Sequence, residues 1–148
     1  MRKQLTSLAA VLSLSFAGAA FAADPTAMSK DAYQAEKDKI QDQYTADKKA
    51  CDGMKDNARN ICKAEANGKE QVAKARLEAQ YQPSPRNDER LKLARADADY
   101  DVAREKCNDQ QGSAKDVCRK EAKVAYDTAK AQARAAAAGN TRQRGSRY

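Results

Sequence analysis

Four cysteines are the residues best able to do chemistry in this 148-residue chain, and their spacing occurs twice. Cys51 and Cys62 stand eleven positions apart, as do Cys107 and Cys118, and the second pair follows the first at an offset of 56. Thiols can bind a metal, carry a haem, exchange electrons or pair. Zinc sites favour knuckles with two to four intervening residues, often with histidine, and the chain has no histidine. Haem attachment needs C-x-x-C-H and redox-active dithiols need C-x-x-C; neither pattern occurs. Structural disulfides are the favoured reading. Of the three connectivities that four cysteines allow, loop closure favours the two local pairs, Cys51–Cys62 and Cys107–Cys118.

The remaining side chains offer little catalysis. Without histidine the chain lacks the commonest general base and metal ligand. Nucleophile-elbow, P-loop and dinucleotide-binding motifs are absent. Asp97, Asp99 and Asp101 alternate along an expected helix and point to different faces, so they read as a solvated surface. We therefore expect no enzymatic activity, no cofactor and no bound metal. The net charge is +7, with Arg142, Arg144 and Arg147 crowded near the C-terminus. These three arginines are the candidate contacts for an anionic partner; the other reading of the segment is a solubilising tail. The expected export signal argues against nucleic acid as the partner.

That signal is the pattern of residues 1–22. Arg2 and Lys3 precede an apolar run from Leu5 to Phe16, and Ala20-Phe21-Ala22 forms an A-x-A cleavage site, placing the cut between Ala22 and Ala23. The run is too short to span a bilayer comfortably, and no later stretch is apolar enough to do so. The expected location is periplasmic, an oxidising compartment in which disulfides form and persist.

The elements that must position the cysteines follow from geometry. On one continuous helix, residues eleven apart lie about 16 Å apart along the axis, whereas a disulfide needs Cα atoms within roughly 7 Å. The chain must therefore reverse between the members of each pair. Asp52-Gly53 with Asn57 supplies the signals in the first unit, and Gly112 with Ser113 supplies them in the second. Ser29 reads as the N-cap of a first helix ending near Cys51, and Asn57 as the cap of a second ending near Gln80. Ser84 with Pro85 starts a third helix running to about Asp109. Ser113 and Asp116 form a capping-box pattern for a fourth, which Gly139 should end.

Superposing residues 44–79 on 100–135 aligns Tyr44 with Tyr100, Ile61 with Val117 and both cysteine pairs, the mark of a duplicated helix–turn–helix unit. Leu93, Ala96, Tyr100, Ala103 and Cys107 form one helix face. The first unit interrupts the same stripe with Lys37 and Asp47, so the first hairpin is expected to be the looser. Large aliphatic residues are few and alanine fills much of the rest. Alanine favours helix but buries little area, so covalent staples would matter to such a chain.

The motifs CDGMKDNARNIC and CNDQQGSAKDVC, set in an Ala/Lys-rich helical body over residues 29–138, resemble small exported helical proteins of Gram-negative bacteria often labelled TolA-like cell-envelope proteins. The resemblance implies an envelope location and a stress-related role. The organisation expected is a signal peptide at 1–22, a leader at 23–28, helical hairpin 1 at 29–81 and a linker at 82–84. Helical hairpin 2 follows at 85–138 and a disordered Arg-containing tail at 139–148. The fold class expected is all-α, two tandem disulfide-closed αα-hairpins packed as an antiparallel four-helix bundle; two hairpins loosely joined across the prolines are the alternative. The function expected is a non-enzymatic periplasmic envelope protein with a structural, stress-protective or chaperone-like role. The alternative is a binding module for anionic envelope components. An envelope protein or such a component is the expected partner.

Overall fold

The computed structural model describes residues 28–145, with side chains as far as Gly139. Four helices follow one another: α1 Lys30–Ala50, α2 Asp56–Tyr81, α3 Pro85–Lys106 and α4 Gly112–Gly145. Short 3₁₀ turns, Cys51–Gly53 and Cys107–Asp109, end α1 and α3. The chain is all-α, with no strand among the described residues, and both local disulfides are formed. The signal segment 1–22, the Ala22–Ala23 cut and Arg147 lie outside the described residues.

Two of the expected caps are in place. Ser29 accepts a hydrogen bond from the Ala32 amide at 3.1 Å, and Ser84 accepts one from the Asn87 amide at 3.1 Å with Pro85 in the first helical turn. Two others are corrected. The N-cap position of α2 is Lys55, and Asn57 lies within the first turn, its amide turned toward α3. Helix α4 begins at Gly112, so Ser113 stands inside the first turn, exposed, with no capping bond from its hydroxyl. Gly112 has φ +55°, a conformation glycine adopts without penalty, and this lets the helix start two residues early.

The C-terminal boundary is also corrected. Helix α4 passes through Gly139 and continues to Gly145, so the second hairpin extends beyond residue 138. A glycine within a helix costs about 1 kcal/mol relative to alanine but does not stop it. No proline follows, and the Ala135–Ala138 run favours continuation.

The helices pack as an antiparallel bundle in chain order, α1 on α2, α2 on α3 and α3 on α4. The most extensive packing is α2 on α3, so the two hairpins dock on each other. Helices α1 and α4 make no extensive contact, which leaves the bundle open. Its core is thin: Cys51, Ala66, Leu77, Ala96, Cys107 and Ala133 are the buried apolar residues. Helix α1 buries none of its residues, consistent with a looser first hairpin. Asp47, which interrupts its stripe, is half-buried and lies 3.7 Å from Lys69 of α2.

One glycine sets the α2–α3 distance. A Cβ built on Gly68 would lie 2.7 Å from the Cβ of Ala98 and 3.3 Å from its Cα. The obstacle is the Ala98 methyl and the backbone behind it, neither of which can swing aside, and only glycine fits there.

Candidate functional site

The two disulfides lie at one pole of the bundle, where α1 and α3 end and α2 and α4 begin. The Cα atoms are 5.7 Å apart in Cys51–Cys62 and 5.6 Å in Cys107–Cys118. The duplication extends to the backbone between them. The Met54 amide donates to the Cys51 carbonyl, and the Gln110 amide to the Cys107 carbonyl. Each reversal then contains one residue at positive φ, Asp56 at 48° and Gly112 at 55°, again 56 positions apart. In each pair the first cysteine is fully buried and the second half-buried. All four thiols are consumed, which leaves no free cysteine for metal binding or nucleophilic work.

Asn57 joins the two mouths. Its amide donates to the Glu105 carbonyl at 2.6 Å and to Asp109 Oδ1 at 2.9 Å, tying the start of α2 to the end of α3. At the opposite pole Asn87, almost fully buried, donates from Nδ2 to the Gln82 carbonyl at 2.7 Å. That bond fixes the linker between the hairpins. Neither role is legible from sequence, since asparagine near a helix start reads first as a cap.

The tyrosines are the other concentrated chemistry. Tyr33 and Tyr81 pack as tilted rings between α1 and α2 with centroids 4.4 Å apart, and Tyr100 and Tyr126 stack between α3 and α4 at 4.6 Å. Tyr33 donates its hydroxyl to Glu78, and Tyr126 donates to Asp97 Oδ1. The bond to Glu78, reinforced by burial, raises the Tyr33 pKa above the ordinary tyrosine value of 10.0. Tyr44, the repeat mate of Tyr100, instead donates to Asn67 Oδ1 at 2.8 Å. Tyr100, on the helix face read from the sequence, is half-buried against Tyr126, a partner not legible from the repeat because the first unit has Glu70 at the matching position.

Among the described residues, furrows between successive helices open along one face of the bundle. The largest, about 570 Å³, lies between α2 and α3. Gly68, Val72, Ala98, Val102 and Ala103 give it an apolar lining, and Glu65, Lys69, Arg95, Asp99 and Lys106 add charges. The α1–α2 furrow shares Lys69 with it, and the α3–α4 furrow shares Arg95 and Asp99. The cleft on the opposite side of α2–α3, lined by Asn60, Lys63, Asn67, Gln71, Asp101 and Glu105, is polar.

The three alternating aspartates diverge as expected. Asp97 accepts from Tyr126, Asp99 lines the α2–α3 furrow, and Asp101 lines the opposite cleft with Arg104 3.9 Å away. Among the described residues no cluster of three metal-ligating side chains occurs. Arg142 and Arg144 fall in the last turns of α4.

Fold and site together define a protein class: an all-α pair of tandem disulfide-closed hairpins, docked through a close α2–α3 contact and open along one side. No protein-family model, curated protein or solved structure matches the chain.

Proposed function

We propose that this is a non-enzymatic, exported envelope protein with a chaperone-like, protective role. On this reading, the open face holds apolar segments of partially unfolded partner chains. The observation that carries the proposal is the α2–α3 furrow, apolar in its lining and ringed by charges of both signs. Such a surface suits amphipathic segments of varied sequence, because shallow apolar contact gives affinity without demanding one shape. Export is supported by the signal-like residues 1–22, by the pairing of all four cysteines and by the resemblance to TolA-like envelope proteins. No helix among the described residues is long and apolar enough to cross a membrane.

The test is suppression of aggregation of a reduced, unfolding client, followed by light scattering. Val72→Asp with Val102→Asp should abolish protection while leaving helix content and both disulfides intact. Retained protection in that variant would overturn the proposal. A version lacking residues 140–148 separates the alternative partner. Loss of salt-sensitive binding to anionic vesicles on that deletion, with no client protection by the full chain, would favour a module for anionic envelope components.

A further inference from the structure

Four of the six tyrosines form two ring pairs, one within each hairpin, Tyr33–Tyr81 tilted by 30° and Tyr100–Tyr126 stacked. In each pair one phenol donates a hydrogen bond to a carboxylate, Tyr33 to Glu78 and Tyr126 to Asp97. All four rings are half-buried, so a small oxidant can reach them while each keeps its mate in contact. The chain has no tryptophan or histidine, and its cysteines are all bonded. Tyrosine is therefore its most readily oxidised side chain by one-electron chemistry.

We infer that these pairs are oxidative modification sites: under one-electron oxidants, Tyr33 couples to Tyr81 and Tyr100 to Tyr126, forming an intramolecular dityrosine bond in each hairpin. Each ring loses one electron to the oxidant and its phenolic proton to solvent, through the carboxylate where one is hydrogen-bonded. The two neutral radicals then join through ring carbons ortho to oxygen. Each of those carbons releases its hydrogen to re-form the phenol, so the product is two hydrogens lighter than the reactants. With hydrogen peroxide as the terminal oxidant, one peroxide is reduced to two waters per bond formed.

Proximity selects the partner. A radical formed on a paired ring finds its mate at 4.4 or 4.6 Å, and half-exposed rings can slide from stacked to edge contact. Tyr44 is the internal control, because its hydroxyl meets an amide oxygen rather than a carboxylate and its ring stacks on no other tyrosine among the described residues. The two sites also differ. Lys130 stands 4.5 Å from the Tyr126 ring centroid and Arg104 5.6 Å from that of Tyr100, and positive charge there opposes electron loss. Proton transfer to Asp97 must offset this, so the second pair depends more on its carboxylate than the first.

Structurally, the Tyr33–Tyr81 bond would fasten the first hairpin at the pole opposite its disulfide, securing the helix with no buried residue. The inference is independent of the chaperone-like reading. Its test uses the full chain with both disulfides intact, a haem peroxidase and limiting hydrogen peroxide, followed by peptide mapping and dityrosine fluorescence. The expected products are 33–81 and 100–126 cross-links within one chain, exceeding all other tyrosine products by roughly tenfold or more. Tyr81→Phe and Tyr126→Phe, which keep the stacked ring, should each abolish one link only. Asp97→Asn should lower the yield of its link more than Glu78→Gln lowers the other. Absence of cross-links, or a main product that contains Tyr44 or Tyr148 or joins two chains, would overturn the inference.

Discussion

Replacing Gly68 with alanine sets two effects of opposite sign against each other. Alanine is favoured over glycine in a helix interior by about 1 kcal/mol. In isolation the change should stabilise α2. The added methyl, however, would sit 2.7 Å from the Ala98 Cβ, and Ala98 has no side-chain freedom with which to retreat. The helices must separate by several tenths of an ångström or more along the most extensive contact of the fold. Forcing an extra methyl into a packed contact costs about 1–3 kcal/mol. Gly139 isolates the propensity effect, since a Cβ there meets nothing within 4 Å. Gly139→Ala should therefore stabilise by up to about 1 kcal/mol.

The assay is denaturant unfolding followed by circular dichroism, with Gly68→Ala and Gly139→Ala compared with the parent. The Gly68 variant should fall below the Gly139 variant by about 1–3 kcal/mol. Adding Ala98→Gly to Gly68→Ala restores room at the crossing, so the pair should show positive coupling beyond the sum of the single changes. Equal stabilisation by the two glycine replacements would refute the close approach. The hairpins would then be independent bodies joined by a proline linker, and the α2–α3 furrow would not exist as a fixed surface.

Other consequences follow from the same packing. Removing Cys51–Cys62 or Cys107–Cys118 by paired serine substitution should cost roughly 2–3 kcal/mol each. Hydrogen exchange should show the Cys51 end of α1 released in the first case, with Tyr33–Tyr81 still holding its start, while α4 stays partly held by the Tyr100–Tyr126 stack in the second. Asp56→Gly should stabilise the first reversal, whereas Gly112→Ala should destabilise the second by about 1–2 kcal/mol through left-handed strain alone, because the site is otherwise open; paired chemical melts would check both. Tyr33 ionises above the ordinary tyrosine value because its neutral hydroxyl donates a hydrogen bond to the Glu78 carboxylate. The stabilisation linked to its raised pKa is therefore fully present below about 10 and lost as pH rises through the raised folded value. Glu78→Gln should bring Tyr33 back toward the ordinary value in an alkaline ultraviolet titration.

Much of this architecture was legible because it rests on local signals. The cysteine spacing demanded a reversal, Ser29 and Ser84 carried caps, and the 56-residue offset aligned one reversal with the other. The features that escaped are those fixed by tertiary proximity. Gly68 looks like a weakness in a helix until Ala98 is placed against it. Asn57 reads as a cap until the end of α3 supplies its acceptors. The end of α4 was misplaced because glycine after an alanine run is a good stop signal, yet nothing after Gly139 forces the chain out of the helix. Tyr33, Tyr81 and Tyr126 were missed as partners because their pairing crosses between helices, outside the register that aligned Tyr44 with Tyr100.

The duplicated unit has solved the same problem twice with unequal success, and the inequality has a direction. The second copy places glycine at its left-handed position, stacks Tyr100 of its stripe on Tyr126 of α4 and buries Ala96 and Ala133. The first places aspartate at that position, leaves Tyr44 with an amide partner and buries nothing from α1. Stability in such a bundle is not uniform, and the segment with the fewest buried contacts opens at the lowest free energy. That segment is α1. Its disulfide limits how far it can move, since Cys51 and Cys62 hold one end while Tyr33 meets Tyr81 and Glu78 at the other. Opening of α1 would widen the α1–α2 furrow without disturbing the α2–α3 contact set by Gly68. The poorer copy is thus the adaptable side of the open face, and the better copy is its rigid support.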